Sequence, residues 1–215
     1  MNIKYFLAAL AAAVFISCSE KDKTETLFNG EDLSGWKVVV KANEGEEVEG
    51  ETFSAKDGLL HITGKPFGYI RTEKKYSDYL LSLEWRWAGE EGVDGGVFNY
   101  LQDGDKVWPL GVQLQMTPKD MGLLMGGIKI EGVDGPFYRK NRLVEESPEK
   151  PVGEWNKMEF LCKGGEIKVW LNGVLVNDAV CDATEGYIAI QSEGGAMDFR
   201  NIQVDYSKRT LQTER

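Results

Sequence analysis

The chain has 215 residues, with 25 Lys and Arg against 35 Asp and Glu and a formal charge of −10. A surface this acidic repels nucleic acid and anionic lipid, so neither is expected as a partner, whereas neutral sugars remain compatible. The opening residues read as an address rather than structure. Lys4 supplies a positive n-region, and Tyr5 to Ile16 form an apolar run too short to span a bilayer as a helix. The run ends Phe15-Ile16-Ser17-Cys18, a lipobox pattern that makes 1–17 a signal peptide and Cys18 the lipidated first residue of the mature chain. Losing Lys4 leaves 24 basic against 35 acidic side chains, a charge of −11. Ser19 after the cysteine suits sorting to the outer membrane, so the expectation is a cell-envelope lipoprotein facing the periplasm or the outside. Residues 18–26 are polar and charged and read as a tether, which leaves 27–207 as one folded domain.

After Cys18, almost every periodic segment has strand character. Leu27, Phe28, Leu33 and Trp36 are large apolar anchors between the turn dipeptides Asn29-Gly30 and Ser34-Gly35. Leu59 to Thr63 is a short strand bounded by Asp57-Gly58 and Gly64. From Asp78 to Trp87 the alternation is clear, with Tyr79, Leu81, Leu83, Trp85 and Trp87 on one face and Ser82, Glu84 and Arg86 on the other. Gly96 to Leu101 and Leu110 to Met116 follow. Trp155 to Cys162 pairs with Glu166 to Leu171 through Lys163-Gly164-Gly165, and Asn172-Gly173 turns into Val174-Leu175-Val176. Gly186 to Gln191 and Met197 to Tyr206 close the series. No amphipathic helix and no internal repeat are visible. Short strands with frequent glycine turns predict an all-β, antiparallel sandwich or jelly roll. Cys162 and Cys181 follow strand-like runs and are expected as buried free thiols, and with the lone His61 they offer no metal-ligand spacing.

Several of these motifs, in this order, resemble the 3-keto-disaccharide hydrolase family. They are the opening Leu27-to-Trp36 stretch and the closing Met197-Asp198-Phe199-Arg200-Asn201-Ile202-Gln203-Val204. Between them lie Gly68-Tyr69-Ile70-Arg71, Asp105-Lys106-Val107-Trp108-Pro109, Ile167-Lys168-Val169-Trp170-Leu171-Asn172-Gly173, and Ala189-Ile190-Gln191-Ser192-Glu193-Gly194-Gly195. The resemblance implies a concanavalin A-like lectin/glucanase sandwich that cleaves glycosides already oxidised to a ketone at C3, without a cofactor. It also implies an oxidoreductase partner that makes the ketone.

A C3 ketone acidifies the C2 proton, because the carbanion delocalises into an enolate. Loss of that proton lets the C1 substituent leave, and water then adds to the enone-like product. Such a site needs a base near C2, donors to the C3 oxygen and an acid for the leaving group. Gln113 and Gln115 lie two apart on a strand-like run and so share a face, taken to be the concave one. Relatives usually carry Glu where this chain has Gln113, and an amide cannot act as a base near neutral pH.

Glu193, Glu131 and His61 are therefore the candidate catalytic groups, with Glu193 at period-two spacing from Gln191. The plainer readings are a solvated strand-end carboxylate for Glu193, a solvated charged strand for Glu131 and an exposed ring for His61. Glu84 reads as the structural partner of Arg86. Lys129 is a candidate oxyanion donor, Trp108 and Tyr69 are candidate sugar platforms, and Arg71 and Asn99 are further polar candidates. An enzyme acting on 3-keto-glucosides is the leading reading, and a non-catalytic carbohydrate-binding lipoprotein is the alternative.

Overall fold

The computed structural model describes residues 23–40 and 51–207. The predicted signal peptide and Cys18 lie outside the described residues. Among the described residues there are fifteen strands: β1 (Thr24–Thr26), β2 (Trp36–Val40), β3 (Phe53–Lys56), β4 (Leu59–Ile62), β5 (Gly68–Thr72), β6 (Tyr79–Trp87), β7 (Gly96–Leu101), β8 (Val112–Gln115), β9 (Leu124–Gly126), β10 (Tyr138–Lys140), β11 (Asn156–Lys163), β12 (Glu166–Leu171), β13 (Val174–Val180), β14 (Tyr187–Ser192) and β15 (Met197–Asp205). They form two antiparallel sheets. The eight-stranded sheet has the order β13-β12-β11-β6-β15-β4-β3, with β1 added on β15, and the seven-stranded sheet has the order β10-β9-β8-β7-β14-β5-β2. This is the all-β jelly-roll sandwich that the strand pattern predicts.

Alternation explains the core. Along β6 the odd positions from Tyr79 to Trp87 are buried while Leu80, Ser82, Glu84 and Arg86 are half-buried on the outside. Phe160, Ile167, Val169, Phe199 and Val204 come from the same sheet, and Ile70, Val97, Leu114, Ile188 and Ile190 come from the facing one. Each large side chain so buried contributes about 1.5–3 kcal/mol relative to exposure. The Asn172-Gly173 turn has φ of 50° and 82°, the left-handed pair that a two-residue hairpin requires. Trp36 and Trp85 join the core at 6% and 0% exposure, as their sequence context suggests. Cys162 and Cys181 are buried and unbridged, and burial pushes the Cys162 thiol up to about 12.

Two features depart from the sequence reading. Thr24–Thr26, assigned to the tether, pair with Gln203–Asp205, so the sandwich takes in the end of that segment. The strands β5, β7 and β8 are buried along their whole length rather than on alternate positions. Their outer side is covered by a second, smaller cluster of Tyr69, Phe98, Leu101 and Ala189, with Val39 and Tyr187 packed against it.

The cover is the long connection from β7 to β8. Gln102 N–H donates to Leu110 O at 2.7 Å, closing the base of this strap. Its body folds back over the outer face of the seven-stranded sheet. There Trp108 meets Phe67 edge-on, with ring centroids 6.4 Å apart, and Asp105 reaches both Lys37 and Arg71.

Candidate functional site

Gln113 pairs with Phe98, and Gly96 pairs with Gln115. Both glutamines therefore share the outer face of the seven-stranded sheet with the smaller cluster, pointing away from the core. Gln113 Nε2 donates to Gln115 Oε1 at 2.9 Å and to Gln191 Oε1 at 2.8 Å. Gln115 Nε2 in turn donates to Asp94 Oδ1 at 2.7 Å, which also receives the Gly95 N–H at 2.7 Å. At the other end, Gln191 hydrogen-bonds the carboxyl of Glu193. The result is a chain of three buried amides capped at each end by a carboxyl group.

A glycine makes the chain possible. A Cβ on Gly96 would stand 2.5 Å from Gln113 Nε2 and 2.8 Å from Gln191 Oε1. The side chains from β8 and β14 meet across β7 because β7 carries no side chain there.

The electrostatics follow from burial. Desolvation, and then the neighbouring charge of Asp94, push the Glu193 carboxyl up to about 7 against the opposing hydrogen bond from Gln191. Asp94 is also raised, chiefly by burial and slightly by Asp120, while the Gly95 and Gln115 donors pull it down. A carboxyl near 7 can both take and return a proton at neutral pH. Asp120 belongs to a cleft of about 270 Å³, lined with Lys119, Leu123, Asn141, Arg142 and Val144.

The aromatic wall of the site is Phe67 and Trp108, 41% and 60% exposed. Phe67 lies one residue beyond the last paired position, Gly68 opposite Ser192. Tyr69, in contrast, is fully buried under the strap, so its ring offers no open platform. Its hydroxyl has no hydrogen-bond partner among the described residues, and desolvation, followed by the charge of Asp105, raises it to about 12. Arg71 is 8% exposed and is held by Asp105 at 2.9 Å, by Thr72 O at 2.9 Å and by the Tyr187 ring 4.0 Å away.

Thus Gln113, Gln115, Trp108 and Glu193 converge on one outer face, with Tyr69 and Arg71 beneath the strap on that same face. The other sequence candidates lie elsewhere. Asn99 pairs with Val112 and points inward, where it accepts from Tyr79 Oη at 2.9 Å between the sheets. Lys129 and Glu131 are exposed and flank Ile130, which bridges to Cys181 beyond β13.

His61 is on the outer side of the opposite sheet. Its Nδ1 lies 2.5 Å from Asp198 Oδ1 and its Nε2 3.1 Å from Lys56 O. Both ring nitrogens face acceptors, so neither presents a lone pair to solvent. Glu84 pairs with Arg200 at 2.7 Å rather than with Arg86, which binds Asp198 at 2.8 Å. Among the described residues no group of three or more His, Cys, Asp or Glu is placed to hold a metal ion.

The sequence reasoning missed Asp94 and Phe67. Val93-Asp94-Gly95-Gly96 reads only as a turn, and Phe67 precedes a strand without alternation. The usable signal was Gly95-Gly96 itself, since glycine at a strand start marks a close approach.

A jelly-roll sandwich with amides and carboxyls gathered on one outer sheet face defines the class. The family model described as a 3-keto-alpha-glucoside-1,2-lyase-like domain matches residues 23–205, and the chain belongs to that family. Its fold is similar to that of a proposed glycosyl hydrolase from Parabacteroides distasonis ATCC 8503, with 21% identity, TM-score 0.61, and 89% of this chain and 97% of that one covered. A β-glucanase of Bacillus licheniformis is similar at 15% identity and TM-score 0.55, covering 84% and 95%. The carbohydrate-binding module CBM66 of Bacillus subtilis is similar at 18% identity and TM-score 0.51, covering 79% and 94%. At these identities the likeness speaks for the fold. No curated protein gives a significant match to the sequence.

Proposed function

We propose that the protein cleaves 3-keto-glucosides or 3-keto-disaccharides on the outer face of the seven-stranded sheet, with Glu193 as the general base. The observation that carries this reading is Glu193 itself, held near 7 beside Asp94 at the end of the glutamine chain. Glu193 takes the C2 proton, and the electron pair moves into the C3 carbonyl as an enolate. Gln115 and Gln191 each commit one amide proton within the site, leaving the second N–H of each to stabilise the developing C3 oxyanion.

Collapse of the enolate breaks the C1–O bond, and the leaving oxygen takes the proton back from Glu193. Addition of water across C1 and C2 then completes a hydrolysis, whereas release before hydration makes the enzyme a lyase. Phe67 and Trp108 supply the apolar wall against which a pyranose face packs.

Purified protein incubated with a 3-keto-glucoside and with its unoxidised parent tests the reaction by mass and NMR analysis. Aglycone release from the ketone alone, with a deuterium isotope effect at C2, is the expected result. The alternative reading is a carbohydrate-binding protein, favoured by Gln113 standing where relatives carry a carboxylate. Saturable glycan binding without turnover of any ketone would select it. The chain is further proposed to be an outer-membrane lipoprotein acylated at Cys18, so Cys18→Ser should move it from the membrane fraction to the soluble one.

A further inference from the structure

The strap that covers Tyr69 is fastened in an uncommon way for so acidic a chain. Its two aspartates, Asp103 and Asp105, sit two residues apart and engage three cations, Lys37 and Arg71 on the sheet beneath and Lys75 in the connection after β5. Asp105 Oδ2 lies 2.6 Å from Lys37 Nζ and its Oδ1 2.9 Å from Arg71 Nε. Asp103 Oδ2 lies 2.7 Å from Lys75 Nζ, and its Oδ1 receives the Tyr187 hydroxyl at 2.9 Å. Lys37 and Arg71 are cross-strand partners, and Tyr69 lies two residues before Arg71 on the same face of β5.

Arg71 and Lys75 have supports besides the strap, whereas Lys37 is held by Asp105. The Arg71 guanidinium stacks on Tyr187 and donates to Thr72 O, and the Lys75 ammonium lies 5.3 Å from the Tyr187 ring centroid. Glu185 is the other carboxylate acting on Lys75. Meanwhile the buried Tyr69 hydroxyl lacks a partner among the described residues. Burying an unpaired donor carries a cost. Trp85 Nε1 and Tyr100 Oη are likewise unpartnered, but within the main core, whereas Tyr69 acts on the clasp residue Arg71.

We propose that Lys37, Arg71 and Lys75, with the Tyr187 ring and the Tyr69 hydroxyl, form a subsite for an acidic saccharide, and that Asp103 and Asp105 occupy it as internal mimics of the ligand's anionic groups. The inference deepens the proposed function, since it rests on that same sheet face taking a sugar. The ligand chemistry is a ring carrying an oxyanion, either carboxylate or sulfate. Lifting the strap exchanges two aspartates for two such groups at constant charge. The side chains of Lys37 and Asp103 are 51% and 72% exposed, and exposed ion pairs of this kind are weak. The Arg71–Asp105 pair is more buried, at 10% and 34% side-chain exposure, and is the contact that ligand binding must displace. The newly uncovered hydroxyl of Tyr69 then donates to a ligand oxygen.

Calorimetry with the full chain in detergent tests this, using a galacturonate trisaccharide, a sulfated galactose trisaccharide and neutral cellotriose as probes. D103N/D105N should bind one of the acidic probes about tenfold more tightly than the wild type, with cellotriose unchanged. The acidic probe that gains identifies the oxyanion. K37Q/K75Q should lose acidic binding. Tyr69→Phe breaks no internal hydrogen bond and removes an unpaired buried donor, so its melting temperature should hold or rise while its affinity for the acidic probe falls.

Failure of both acidic probes to bind the wild type and D103N/D105N overturns the proposal, as does acidic binding indifferent to K37Q/K75Q. Turnover of a neutral 3-keto-glucoside is read separately. Turnover without acidic binding sinks only the subsite, and acidic binding without turnover sinks only the reaction.

Discussion

Under the proposed function, Glu193 is the residue on which both chemistry and stability would turn. Replacing it with Gln keeps its size and removes its proton chemistry, so 3-keto-glucoside cleavage should fall by at least about a hundredfold, within the usual worth of a general base. Glycan affinity measured by calorimetry should change little. The same side chain predicts a pH effect on folding. Its folded value of about 7 exceeds the ordinary 4.5 of a free glutamate, so the folded state holds the proton more tightly than the unfolded chain. Stability is full below pH 4.5 and declines as pH rises through 7, by at most about 3 kcal/mol. Thermal melts of wild type and E193Q between pH 4 and 8 should show this decline in the wild type and a flatter curve in the variant. Glu193 was legible in the sequence because it continues the period of Gln191. Asn99 was misread for a physical reason: on β7 every residue is buried, so no polar face reveals which parity points outward.

At the scale of elements, legibility follows solvent contrast. β6 alternates buried and half-buried along its length and could be read from sequence alone. β5 and β8 could not be oriented, because the core covers one side and the strap or amide chain covers the other. The absence of a side chain at Gly96 binds β7, β8 and β14 into one site. A Gly96→Ala change places its methyl 2.5 Å from Gln113 Nε2, the far end of a flexible side chain that can move aside. The expected cost in stability is about 2–4 kcal/mol, from the overpacking together with the buried amide groups left unpaired. The amide bridge is lost, and cleavage should fall much more than the melting temperature indicates. Parallel thermal melts and turnover assays check this. A stability loss with full activity would show that the bridge is not needed.

Across the whole molecule, the two outer faces carry separate polar systems divided by the core. The sequence disclosed part of each set, Asp94 and Phe67 not among them, and not the sheet on which each lies, because strand order is set by long-range pairing that no local pattern records. His61 provides the test. It belongs to the eight-stranded sheet with Asp198 and Arg86, so His61→Ala should cost about 1 kcal/mol of stability and leave 3-keto-glucoside cleavage unchanged. Loss of turnover in a folded His61→Ala protein would mean the chemistry sits on the opposite face.

The pairing of β1 with β15 has a consequence for orientation. Thr24 is opposite Asp205, whereas Met197, at the other end of β15, lies under Gly95 beside Asp94 and Glu193. Nine residues of strand separate these poles by roughly 30 Å. If the chain hangs from a lipid at Cys18, its point of suspension is at the pole opposite the carboxyl pair. The catalytic end would then look outward from the bilayer, toward sugars arriving from the bulk.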